Sequence, residues 1–105
     1  MTPSARRKAR RFALQGLYSW QIAGTRIVDI EIQFAEDNDL AKVDTEYFHE
    51  LMHGVPQHLE EIDGLLKPVL EKRSIDEVDP IERALLRLAA YELLKGCGPR
   101  ESRCD

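Results

Sequence analysis

Long apolar runs are missing from this 105-residue chain. None approaches the ~20 residues that a membrane-spanning helix needs. The basic N-terminus also lacks the uninterrupted apolar stretch of a secretory signal, so a cytoplasmic protein is expected. Cysteine is scarce, with Cys97 and Cys104 both near the end. With no histidine around them they do not make a four-ligand zinc site, and a structural disulfide does not suit the cytosol. Two incidental free thiols are expected. There is no glycine-rich phosphate loop, no G-x-S-x-G and no dinucleotide fingerprint, so the common nucleotide and acyl-transfer chemistries have no anchor. Strand candidates are equally few. Only residues 28–34, VDIEIQF, alternate in polarity, and no second strand is available to pair with them. Ile27, Ile30, Phe34 and Ala35 fit a helix as well, and a helix is expected there.

Carboxylates are absent from residues 1–28, which hold six cations, while residues 29–105 hold nine cations and nineteen carboxylates. The net charge of −4 thus hides a basic head on an acidic body. Arg6, Arg7, Lys8, Arg10 and Arg11 crowd the first helical turns, where the helix dipole slightly disfavours cations. A solvated helix end accounts for them no better than a polyanion site does. Guanidinium groups bind phosphates in bidentate fashion, and an aromatic ring can stack on an unpaired base. With Tyr18 on the same side, single-stranded RNA is the expected nucleic acid, since nothing resembles a DNA-reading motif.

The length supports one domain with a modest core. Thr2 and Pro3 read as the start of a helix reaching about Ile22 and ended by Gly24. Ala9, Ala13, Leu17 and Trp20 form its core face, with Phe12 beside them. Arg7, Arg11, Leu14 and Tyr18 share another face. Asn38 and Asp39 mark a loop. Asp44 or Thr45 caps a third helix through Tyr47, Phe48, Leu51 and Met52, which Gly54 and Pro56 are expected to interrupt. A fourth runs from about Gln57 to Lys72, burying Leu59, Ile62, Leu66 and Leu70. After a turn at Ser74–Val78, Asp79-Pro80-Ile81-Glu82 is a capping-box start for a fifth. That helix, IERALLRLAAYELLK, is apolar almost all round, as central helices are. The tail GCGPRESRCD, residues 96–105, reads as an unstructured and non-native end with nothing to cover it. The fold class is all-α, a domain over residues 1–95. Self-association through the uncovered last helix is expected.

HELMH, residues 49–53, matches the H-E-x-x-H of zinc proteases, in which two histidines one turn apart bind metal and the glutamate is the base. No third ligand follows at the family spacings. Two exposed histidines flanking a buried Leu51–Met52 pair are the expected arrangement; a zinc hydrolase is a remote alternative. No catalytic residue, metal or cofactor is assigned.

ARRKARRFALQGLYSWQ, together with DTEYFHELMHG, DGLLKP and IERALLRLAAYELL in order and at matching spacing, resembles the bacterial NusB family of transcription antitermination factors. The resemblance covers residues 1–95. It implies an all-helical fold of two packed bundles, with five helices present here and the family's last two missing. It also implies a non-enzymatic factor that binds the boxA element of nascent RNA with the ribosomal protein NusE and loads onto RNA polymerase. The RNA-binding residues it implies are Arg6, Arg7 and Arg10, with Lys8 at a position often basic and Arg11 within the same cluster. Tyr18 and Glu82 match positions on the NusE-facing surface. The alternative is the similar accessory domain of a ribosomal RNA cytosine methyltransferase, which needs a cofactor domain downstream.

Overall fold

A computed structural model describes residues 3–70 and 73–95 of the chain. Among these the secondary structure is helical, as expected: α1 (Pro3–Ala23), α2 (Ile27–Asp37), α3 (Thr45–Gln57), α4 (Leu59–Leu70) and α5 (Pro80–Lys95), with single tight turns at Leu40–Lys42 and Ile75–Glu77. Thr2, Lys72 and the tail with Cys97 and Cys104 lie outside the described residues. No helix among those described is long and apolar enough to cross a membrane. The chain divides into two compact units, Met1–His53 and Gly54–Asp105.

In the first unit, α1 buries a stripe of small residues, Ala5, Ala9, Ala13 and Gly16, together with Leu17. Small side chains let neighbouring elements approach closely, and at Gly16 a Cβ would lie 2.8 Å from the Met52 sulfur and 3.1 Å from Ile30. Trp20 is only half-buried; the stripe, not the indole, anchors the helix. The Gly24 amide closes α1 on the Trp20 carbonyl at 3.0 Å. Gly24 does so at φ +68°, a conformation glycine adopts without steric cost. Residues 28–34 are helical, because Ile30 must face the core while Val28 and Ile32 are exposed. Phe12, Phe34 and Phe48 meet with ring centroids 5.6–6.4 Å apart. Asp44 caps α3, its carboxylate accepting the Tyr47 N–H at 3.1 Å. Its own N–H donates to the Ala5 carbonyl at 3.1 Å, tying the cap to the first turn of α1.

α3 runs on to Gln57, so Gly54 and Pro56 do not interrupt it. Pro56 falls in the last turn, where its missing N–H forfeits a single helical bond.

In the second unit, a side chain at Gly54 would collide with the Tyr91 ring, so glycine here makes room rather than ending a helix. The His58 N–H donates to the Gly54 carbonyl at 3.0 Å, and α4 follows after that one residue. α4 packs on α5. Ile62, Leu66 and Leu70 are buried as expected, while Leu59 is half-buried. Ser74 and Glu77 form a reciprocal capping box around the second tight turn. Asp79 caps α5 by accepting the Ile81 N–H at 2.9 Å. α5 buries Ala84, Leu88 and Tyr91, and also Arg87 and Glu92. Arg87 forms a two-pronged pair with Asp63 of α4, Nε to Oδ1 and Nη2 to Oδ2 both at 3.0 Å.

Candidate nucleic-acid interface

A helix turns about 100° per residue, so five cations packed into residues 6–11 cannot share one face. The structure divides them into three sets. Arg6 and Arg10, one turn apart, flank the buried stripe on one side. The Arg6 guanidinium lies 4.1 Å from the centroid of the buried Tyr47 ring, and that of Arg10 lies 5.5 Å from it. Arg6 Nε also stands 3.9 Å from the Asp44 carboxylate, and its side chain is only 15% exposed. These are cation–π contacts in a largely desolvated setting.

Arg7 and Arg11 are exposed, and the row continues through half-buried Leu14 to Tyr18, which is 38% exposed. Periodicity placed these four on one face, and their exposure agrees with it. Lys8 lies on the opposite flank of the buried stripe, half-buried. Of the five cations, Tyr18 therefore shares its side with Arg7 and Arg11 alone, and the expectation of one basic side holding all five does not hold. Glu82 belongs to the second unit, exposed in the first turn of α5.

Tyr47 and Asp44 were legible as a core residue and a cap, but not as the seat of Arg6. The only sequence signal for it is their spacing of three, which puts both on one side of the start of α3.

HELMH sits on α3 as expected. Leu51 and Met52 are fully buried, His49 is exposed and His53 half-buried. The two histidines are not merely solvated. Both turn to Glu31 of α2: His49 Nδ1 lies 2.7 Å from Oε2, and His53 Nε2 contacts Oε1.

In the second unit an apolar groove runs between α4 and α5, lined in part by Leu65, Val69, Leu86, Ala89, Leu93 and Leu94. Leu65, Val69 and Leu93 are strongly exposed, and so is Leu85. The expectation that α5 presents uncovered leucines therefore holds for Leu85 and Leu93, whereas Leu88 and Tyr91 are buried.

Comparison with known proteins bears on what such surfaces serve. Residues 7–99 match the model of the NusB family. The chain is 55% identical over 92 residues to the transcription antitermination protein NusB of Alcanivorax borkumensis, covering 88% of this chain and 61% of that protein. It is 55% identical over 93 residues to the protein of the same name from Idiomarina loihiensis, covering 89% and 66%. For that of Edwardsiella ictaluri the identity is 50% over 95 residues, covering 90% and 68%. The chain thus spans about three fifths to two thirds of the length of the curated relatives it matches. A match that runs from the arginine row of α1 through the whole of α5, at half or more identical residues, leaves one assignment: this chain belongs to the NusB family.

Proposed function

We propose that the chain acts as a transcription antitermination factor. It binds single-stranded boxA RNA together with the ribosomal protein NusE, and joins the RNA polymerase elongation complex to suppress termination in ribosomal RNA operons. It works in the cytoplasm as a binding protein rather than an enzyme. The observation that carries this reading is the row Arg7–Arg11–Leu14–Tyr18, with both arginines and the tyrosine exposed on a helix without a carboxylate, in a chain whose relatives are antitermination proteins. Arg7 and Arg11 offer free guanidinium groups to phosphates, and Tyr18 offers a ring for stacking or for a protein neighbour. Arg6 and Arg10, held against Tyr47, add positive potential beside that row, and Lys8 adds it on the other flank. Exposed Glu82 supplies a carboxylate to a basic ribosomal protein.

Fluorescence anisotropy with boxA-like and scrambled RNA, each with and without NusE, tests the reading. Tighter binding of the boxA-like RNA in the presence of NusE is expected. Equal affinity for both RNAs with the partner present would sink it. Glu82→Lys should weaken the partner by about 1–3 kcal/mol while leaving RNA binding alone unchanged; undiminished partner binding would remove Glu82 from that surface.

A further inference from the structure

Glu31, His49 and His53 present three ligand atoms that all lie within 4.8 Å of one another. They come from two helices. His49 and His53 are one turn apart on α3, and Glu31 faces them from α2. The imidazole centroids are 4.2 Å apart, and a single carboxylate spans both rings with one oxygen to each. We infer that Glu31, His49 and His53 form a binding site for a divalent first-row transition metal of the zinc type, which fastens α2 to α3.

The donor set favours that class of ion. Two imidazole nitrogens and one carboxylate oxygen suit Zn²⁺ and its neighbours, whereas Mg²⁺ and Ca²⁺ prefer oxygen alone. Ligands at ~2.0–2.2 Å from a metal stand no more than ~4 Å apart, so the present spacing needs only small rotamer shifts to admit an ion between the three atoms. Binding requires both facing nitrogens to be bare. The remaining N–H then sits on Nε2 of His49 and on Nδ1 of His53, and any proton on a facing nitrogen goes to solvent. The His49 side chain is 64% exposed, against 30% for His53 and 19% for Glu31, so an ion can enter from the His49 side. Water can complete its coordination from there. The third ligand comes eighteen residues before His49, not after His53, which is why the spacing rules of H-E-x-x-H proteases do not find it. The inference concerns metal binding and stability, and does not rest on the antitermination reading.

The test uses the full chain carrying Cys97→Ser and Cys104→Ser, so that thiols cannot supply an alternative zinc site. Titration calorimetry with ZnCl₂ should give one ion per chain, and the melting temperature should rise with added zinc but not with MgCl₂. His49→Gln with His53→Gln, and separately Glu31→Gln, should each weaken zinc binding by more than about tenfold, with helicity checked by circular dichroism. In the chain with both histidines intact, zinc should shift the imidazole NMR signals of His49 and His53 and leave those of His58 in place. This last measurement does not depend on the folding of any variant at Glu31, His49 or His53. No saturable binding at micromolar zinc, undiminished binding in the double-histidine variant, or zinc-induced shifts confined to other residues would each overturn the site.

Discussion

Removing Arg6 and removing the pair Arg7 and Arg11 should do opposite things, although the three lie within six residues. Arg6 is covered: its guanidinium rests on the Tyr47 ring and beside the Asp44 carboxylate, which also caps α3. A desolvated cation–π contact and the packing of the side-chain stem make Arg6→Ala cost about 2 kcal/mol. For a domain of this size that corresponds to a fall of about 8–16 °C in melting temperature. Arg7 and Arg11 are exposed and touch no such partner ring, so Arg7→Ala with Arg11→Ala should leave the melting temperature nearly unchanged. Their loss should appear in RNA binding instead. Three to five phosphate contacts to a single strand give a slope of log K against log salt of about −2 to −3.5, and removing two contacts flattens it by about 1.4. Between 50 and 200 mM salt the parent chain would then lose roughly 16- to 130-fold in affinity, and the double variant only about 2- to 18-fold. Anisotropy titrations across that salt range, beside thermal melts, read both quantities. If Arg6→Ala flattens the slope as much as the double variant does and melts at the parent temperature, the division of roles is wrong. An unchanged slope in the double variant would place the RNA surface elsewhere.

Asp63→Ala would take the two-pronged carboxylate partner from Arg87, whose side chain is 9% exposed. Asp63 itself is 29% exposed, so the loss should fall near the lower end of the ~3–5 kcal/mol typical of a broken buried pair, and a urea melt showing less than about 1 kcal/mol would contradict the pairing. The Glu77 carboxyl is held below the ordinary glutamate range by the Ser74 backbone N–H first and the Ser74 side chain second. Its contribution is therefore complete above the usual carboxylate range and is lost as pH falls through the depressed value; an NMR titration midpoint at or above that of a free glutamate would refute the cap. The groove between α4 and α5, with Leu65, Val69 and Leu93 exposed, should drive self-association of this chain. Sedimentation over a dilution series should show it, and a cooperative monomer at every concentration would speak against it.

The sequence was most legible where one periodicity dominated. α1, α4 and α5 follow from apolar residues at three- and four-residue spacing and from Pro3, Asp79 and Pro80 at their starts. α2 was legible only by elimination, since VDIEIQF satisfies both periods. Local signals failed at Pro56, because a breaker in the last turn costs one bond and the helix has already formed. They failed again at Gly54, whose reason lies in Tyr91, far along the chain. For the candidate sites, Arg7, Arg11 and Tyr18 could be placed because one helix sets their direction. Arg6 could not, because its surroundings come from Asp44 and Tyr47. Nor could Glu31, whose meeting with His49 and His53 depends on how α2 lies on α3. Arg87 broke an apolar helix in the sequence and proved to be buried, since Asp63 satisfies it from another element.

The small-residue stripe on α1 also has a consequence in time. The side chain nearest Gly16 is that of Met52, so a nascent chain must extend by the 29 residues from Gly24 to Met52 before that contact can form, although α2 reaches α1 sooner. At roughly 5–20 residues per second, that interval is about 1.5–6 s. A stripe of leucines would show the cell a sticky surface for that whole period. Ala5, Ala9, Ala13 and Gly16 show little, so this face of α1 has little to lose while that contact is pending.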